Sequence, residues 1–345
     1  MQIGLVGYGA WGQRHAAAIE RLDGLELKAV VAASAETRTL AERAHPHARV
    51  FSTYQEALAD ADIEMIDVVT PNYLHAEIGC AALAAGKHVL LEKPMGVSVA
   101  ECDRLIAAEA ASGKRLSVGY ELRLSSQWGR VKQEIDAGRI GVPRHVSVGL
   151  FRNAYRPGAS GWRMDPKRVG AWSLEETVHF FDLVLWYLHG AGSPEVVQAV
   201  GVPSTDRPTL YETLCAQIRF GGGATAAISH TTGGFGHSQW VEVVGTEGAI
   251  RTSWQGRMDR DETPAFSFQI RPKGFPFERG VNEFEAIHLD PSGELVELER
   301  ELAMTAAAFR RGEALASAAD ARRGVQLCLA AETAARTGAP VRLNG

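Results

Sequence analysis

Short apolar runs alternate with helical periods through the first third of the chain. QIGLVGYG closes an apolar run with a glycine turn, and apolar positions then recur at helical spacing from about Ala10 to Arg21. LELKAVVA is a second run, followed by a helical stretch over Glu36–Ala44. EMIDVVT and KHVLLE are two more, with a helical pattern over Tyr73–Ala85 between them. VSVAECDRLIAAEAASG predicts a helix stopped at Gly113, and RLSVGY another strand. Strands and helices alternating at this spacing predict βαβ units and a parallel sheet with right-handed crossovers. Runs such as AVV and DVV fit strands covered on both faces.

Beyond residue 120 the pattern changes. A helix is predicted around Ser125–Ala137, a strand in GRIGVPRHVSVGLF and a helix at about Ser173–Leu188. From Glu195 to Ile270 strands follow one another (EVVQAVGV, ETLCAQIRF, ATAAISHTT, QWVEVVGT, AIRTSW), joined by turns such as FGGGA and GTEG. Without long helices between them, these strands predict an antiparallel sheet. Leu302–Arg311 and Ala318–Arg336 revert to alanine-rich helix, and PVRL closes as a strand. Residues 260–300 carry no readable period. The expectation is an α/β chain of two domains, 1–120 with the parallel sheet and 121–345 with an open, mainly antiparallel one, the C-terminal helix packing back on the first.

Composition narrows the function. A chain of 345 residues suits two domains, and 46% apolar with 22% charged residues is an ordinary globular balance. The net charge of -5, with no basic block interleaved with aromatics, argues against a nucleic-acid partner. Cys80, Cys102, Cys215 and Cys328 are scattered without a CxxC, which fits a reducing compartment and no structural zinc. The glycine-rich start lacks a cationic leader pattern, and no apolar run approaches the ~20 residues of a membrane span. A cytoplasmic protein with no membrane contact is expected.

Gly7-Tyr8-Gly9-Ala10-Trp11-Gly12 is a GxGxxG between a predicted strand and a predicted helix, the context in which the pattern binds a dinucleotide. Gly7 permits the tight turn, Gly9 lets backbone approach a pyrophosphate, and Gly12 allows helix and strand to pack closely. The helix N-terminus offers free N–H groups to phosphate. The second strand ends in Ala32-Ala33-Ser34 with no carboxylate before Glu36. An acid at this point would bind the ribose 2′-OH of NAD. Its absence, with Ser34, Thr37 and Arg38 able to donate to a 2′-phosphate, favours NADP over NAD.

TPNYLHAEIGCAALAAGKHVLLEKP (Thr70–Pro94), with the glycine fingerprint, resembles the Gfo/Idh/MocA family of glucose–fructose oxidoreductase and inositol dehydrogenase relatives. GRIG, WRMDP, HFFD and the closing AETAARTGAPV extend the resemblance over nearly the whole chain. It implies a Rossmann domain, a second α/β domain with an open sheet, and a homodimer or homotetramer built on that sheet's outer face. Thr70, Pro71, Asn72 and His75 would lie beside the cofactor, Glu92 near the nicotinamide ribose, and Pro94 after a cis peptide. Lys93 would point into the active site. The residues alone support that last role, because a lysine just past the end of a parallel strand stands where such sheets bind ligands. There its ammonium can stabilise a developing alkoxide.

LEETVHFFD (Leu174–Asp182) holds three acids and a histidine. On a continuous helix Glu175, His179 and Asp182 would fall on one face, within about 60° of each other. Metal ligands, a satisfied polar stripe and an acid/base group all fit that geometry. No cysteine or second histidine completes a recognisable metal set, so no metal is expected. On the acid/base reading His179 exchanges the hydroxyl proton, Glu175 orients a substrate hydroxyl or tunes the imidazole, and Asp182 holds the ring. The family form D-x-G-x-H-x-x-D becomes Glu175, Thr177, His179 and Asp182 here, a departure that bears on substrate choice. By resemblance Tyr120, Arg123, Trp162 and Arg163 line the substrate pocket. His230 and His237 read as surface or loop residues.

The combined expectation is an NAD(P)-dependent dehydrogenase or reductase for a secondary hydroxyl of a sugar, sugar acid or inositol-like polyol. Two other functions fit the same residues: a glycosidase using transient oxidation by NAD, and a non-catalytic sugar-sensing protein.

Overall fold

The structure, a computed structural model, describes residues 1–257, 261, 263–275 and 284–343. They form two compact units. Met1–Glu121, Lys167–Gly170 and Leu295–Val325 make the first, and the remaining described residues from Leu122 onward make the second.

The first unit opens with β1 (Gln2–Val6), α1 (Ala10–Arg21), β2 (Glu26–Val31) and α2 (Ala35–Ala44), then β3 (Arg49–Phe51) and α3 (Tyr54–Leu58). β4 (Met65–Val68), α4 (His75–Ala84), β5 (His88–Glu92), α5 (Val99–Ser112) and β6 (Leu116–Gly119) complete the alternation. The strands pair in parallel in the order β3-β2-β1-β4-β5-β6. Strand order reverses beside β1, so the loop after β1 sits at the switch point where such sheets bind ligands. β3 and α3 have no counterpart in the sequence pattern because three and five residues are too few for a period to register.

The second unit carries α6 (Trp128–Asp136) and β7 (Pro143–Phe151). After the short α7 (Pro166–Val169), most of which belongs to the first unit, comes α8 (Thr177–Tyr187). β8 (Pro194–Pro203), β9 (Tyr211–Phe220), β10 (Thr225–Thr231), β11 (His237–Gly245), β12 (Ala249–Gly256), β13 (Ala265–Arg271) and β14 (Glu285–Ala286) follow. With β15 (Val341–Arg342) they form a sheet in the order β14-β13-β12-β11-β7-β10-β9-β8-β15 among the described residues. All its pairs are antiparallel except β7 with β10. Alternate residues of β9 and β11 are buried, as a half-covered sheet requires. α8 packs on β7 and β10. It is apolar nearly all round, and Val178, Phe180, Phe181, Leu183 and Val184 are fully buried. Each such large side chain contributes roughly 1.5–3 kcal/mol.

α9 (Glu294–Arg310) lies mostly in the first unit, where Leu298, Leu302 and Phe309 join the core formed by Ile19, Leu27 and Val30. It begins well before the Leu302 expected from the sequence. The division between units falls within α10 (Ala318–Thr337). Within the unreadable 260–300 stretch, β13, β14 and the start of α9 are described, whereas 276–283 lie outside the described residues.

Candidate active site

The glycine turn is built as the fingerprint requires. Gly7 has φ +108°, and a Cβ there would fall 2.2 Å from the Val69 carbonyl oxygen. A Cβ on Gly12 would fall 1.9 Å from the Gly7 oxygen, so neither position admits a side chain. Gly9 is the opposite case: it caps α1, and nothing lies within 4 Å of where its Cβ would be. Ala10 starts the helix, and the first turn holds no acid. Open backbone, free N–H groups and an uncompensated dipole end together fit a pyrophosphate.

At the end of β2, Arg38 Nη1 donates to the carbonyls of Ala32 and Ala33 at 3.0 and 2.7 Å. Ser34 caps α2 by accepting from the Thr37 N–H, and the two hydroxyls lie 2.8 Å apart. The guanidinium is thus held against the turn where the adenosine ribose of a dinucleotide would rest, and β2 itself ends in Ala32 and Ala33 with no acid before Glu36.

The TPN and EKP segments are stitched together. Thr70 and Pro71 lead from β4 into a 3-10 turn over Asn72–Leu74. The buried His75 places its ring nitrogens 2.7 Å from the Pro94 carbonyl oxygen and 2.8 Å from that of Thr70, and the Asn72 amide donates to Val169 O at 3.4 Å. The Lys93–Pro94 bond is cis. Lys93 is half-buried just past β5, and the buried Tyr120 lies just past β6.

Beneath these loops lies a charged cluster centred on His15, a residue the sequence reading did not select. Glu92 Oε1 accepts from Trp11 Nε1 at 2.7 Å and lies 3.2 Å from His15 Nε2, while Oε2 accepts the Lys93 N–H at 3.1 Å. His15 Nδ1 is 2.8 Å from Asp67 Oδ2 on β4. Burial alone would lower the histidine's pKa, but the two carboxylates outweigh it and push it to about 10, so the ring is an imidazolium. Burial opposes ionisation of Glu92, yet hydrogen bonding and charge from His15 hold its pKa well below the usual range. Glu301 on α9, buried and facing Glu92 and Asp67, is pushed up by burial and by those charges. The available signal for His15 was its place, three residues after Gly12, on the buried face of α1.

In the second unit, LEETVHFFD does not form one helix. Trp172–Leu174 is a 3-10 turn, Glu176 departs to φ -133°, and α8 starts only at Thr177. Glu175 therefore precedes the helix that carries His179 and Asp182, so only those two share a helical face and Glu175 does not join it. The break falls at Glu176. Its carboxylate is ion-paired with Arg152, lies 3.1 Å from His237 Nε2 and accepts from Gln239 Nε2 at 2.9 Å. Held by these contacts just past β7 and on β11, Glu176 is the cap residue of α8.

Glu175, Arg163 and Trp162 do come together. Arg163 Nε donates to Glu175, its guanidinium sits 4.4 Å from the Trp162 ring centroid, and its carbonyl accepts from Trp172 Nε1 at 2.9 Å. Asp182 accepts a bidentate fork from Arg123 at 2.7 and 2.6 Å. Arg123 is thus tied to α8. His179 is buried in the first turn of α8, its N–H bonded to Glu176 O at 3.0 Å.

His230 and His237 are buried in β10 and β11, contrary to their reading as surface residues. Both stand at inward positions of alternating strands. Burial, reinforced by the Arg152 charge, lowers the His230 pKa to about 3, and among the described residues neither ring nitrogen has a hydrogen-bond partner.

Among the described residues no group of three or more His, Cys, Asp or Glu could hold a metal, and no helix is long and apolar enough to cross a membrane. Residues 1–120 match the family described as "Oxidoreductase family, NAD-binding Rossmann fold", and residues 128–251 match the "GFO/IDH/MocA C-terminal domain". The chain is 25% identical to levoglucosan dehydrogenase of Pseudarthrobacter phenanthrenivorans over 80% of its own length and 79% of that protein. It is 28% identical to inositol 2-dehydrogenase of Salmonella typhimurium over 55% of each chain. Among solved structures, levoglucosan dehydrogenase in complex with NADH matches with a TM-score of 0.86 at 22% identity, covering 100% of this chain and 99% of that one. At that identity the likeness establishes the fold.

Proposed function

This chain belongs to the Gfo/Idh/MocA family of oxidoreductases, and we propose that it transfers hydride between a nicotinamide dinucleotide and a secondary hydroxyl or carbonyl of a sugar, sugar acid or inositol-like polyol. The observation that carries this reading is the tie between cradle and motif, in which Trp11 of the glycine turn donates to Glu92, one residue before Lys93. The names of the relatives, levoglucosan and inositol dehydrogenases, support a ring polyol as substrate.

The nicotinamide, when bound, supplies the hydride donor or acceptor. Everything else is the chain's own work. The open backbone at Gly9 and the α1 N-terminus hold the pyrophosphate. Lys93 donates a hydrogen bond to the reacting oxygen and stabilises the negative charge that grows there as the hydroxyl proton leaves or, in the reverse direction, as the carbonyl is reduced. His179 takes up or returns the hydroxyl proton. Glu175, steadied by Arg163, orients a neighbouring hydroxyl, and the Trp162 ring offers an apolar face to the sugar. Arg38, with no acid at the end of β2 before Glu36, makes NADP the preferred dinucleotide. Val200 and Val202, 72% and 58% exposed on β8, support a homodimer or homotetramer built on the outer sheet face.

Fluorescence titration with NADPH and NADH, then a panel of sugars, sugar acids and cyclitols followed by reduced-nicotinamide absorbance, tests the reading. NADPH is expected to bind the tighter, and at least one ring polyol to be turned over. Failure to bind either dinucleotide would overturn it.

A further inference from the structure

We propose that His15 is a positioning residue for the nicotinamide half of the dinucleotide site, acting through Glu92. The inference rests on the dinucleotide reading above and extends it to a residue that touches neither cofactor nor substrate.

Trp11 and His15 stand four residues apart on α1, so their side chains leave the same face. Both reach Glu92 Oε1, at 2.7 and 3.2 Å, while Oε2 takes the Lys93 N–H at 3.1 Å. A carboxylate held from three directions by donors, one of them charged, has no freedom to rotate. Asp67 fixes the imidazole in turn: its Oδ2 lies 2.8 Å from Nδ1, leaving Nε2 to face Glu92. Asp67 is fully buried, and its second oxygen has no hydrogen-bond partner among the described residues. That arrangement is costly for a merely structural purpose, because a buried ion pair is often no more stabilising than apolar residues of equal volume. Its location gives it a use. Asp67 and Glu92 stand near the C-terminal ends of β4 and β5, on the far side of β1 from β2. The β2 side receives the adenosine half of a dinucleotide, so the β4–β5 side receives the other.

The expected consequence is selective. Loss of the His15–Glu92 contact frees Glu92 and the Lys93 backbone but leaves the glycine turn and the β2 side intact. Asparagine at position 15 can reproduce only the Nδ1 contact with Asp67, whereas the longer glutamine can place an N–H near the Nε2 position. His15→Asn and His15→Gln should therefore differ although both are uncharged.

The test is fluorescence titration of wild type and both variants with NADPH and with its adenine half, 2′,5′-ADP; NADH with ADP serves if wild type prefers NADH. His15→Asn is expected to weaken the full dinucleotide about tenfold, equivalent to about 1.4 kcal/mol. The adenine half should stay within about twofold, and His15→Gln should lose less than about threefold of dinucleotide affinity. Should His15→Asn fail to fold, Asp67→Asn, which releases the ring without emptying the site, is expected to show the same split between probes. Equal weakening of both probes, or of neither, overturns the proposal while leaving the dinucleotide reading in place. Failure of wild type to bind any dinucleotide overturns both.

Discussion

Two buried histidines, one in each unit, differ in charge: the ring of His15 is an imidazolium and that of His230 is neutral. His15 lies between Asp67 and Glu92, and its pKa is raised to about 10; His230 lies near Arg152 with no acceptor, and its pKa is lowered to about 3. Burial pushes both downward, so the neighbours decide. The difference extends to the braces behind each motif. In the first unit a cation sits between two acids under the EKP segment. In the second the acid Glu176 is gripped by Arg152, His237 and Gln239 at the start of α8. Each brace fixes the neighbour of a residue to which the proposed function gives a role: Glu92 precedes Lys93, and Glu176 follows Glu175.

The comparison can be broken most forcefully at Glu176. Glu176→Ala leaves Arg152 and His237 without their carboxylate, and breaking a buried pair in this way costs about 3–5 kcal/mol. Urea unfolding is expected to show that loss. A change below about 1 kcal/mol would mean that the cap of α8 is not held by charge.

The effect of pH is smaller. His15 holds its proton more tightly in the folded chain than the unfolded value of about 6.5. Its contribution is therefore complete below about pH 6.5 and is lost as pH rises toward 10, the value held in the fold. Wild type should lose a few kcal/mol across that interval relative to His15→Gln, read from urea midpoints. Parallel curves for the two proteins would contradict a charged ring.

His230 offers the complementary case. His230→Phe removes an unpaired buried polar group, whose desolvation costs about 1–3 kcal/mol, and is expected to be neutral or mildly stabilising in thermal melts. A large destabilisation would place an unseen partner on that ring. A separate effect concerns cofactor choice: Arg38→Ala should weaken NADPH about tenfold and NADH less than about twofold by fluorescence titration.

How much of this was legible in the sequence follows from the range of the interactions. The parallel sheet, the glycine turn and the EKP segment are local, each encoded within a few consecutive residues, and the fold class followed from them. The braces are not local. His15 meets partners 52 and 77 residues away, and Gln239 lies 63 residues from Glu176. Helical spacing placed Glu175 and His179 on one face because nothing nearby in sequence announces the break at Glu176. His230 and His237 appeared exposed because they flank the TTGGFG turn; their inward strand positions became visible only with the register of β10 and β11.

The central claim, that Lys93 stabilises the reacting oxygen and His179 moves its proton while the glycine turn holds the dinucleotide, is tested most directly by one paired measurement. Lys93→Met and His179→Ala are compared with wild type for dinucleotide affinity and for turnover of the best substrate in the panel. Turnover is expected to fall on the order of 10²–10⁴-fold in each variant, with affinity within a few-fold of wild type. Near wild-type turnover in both variants would contradict the account.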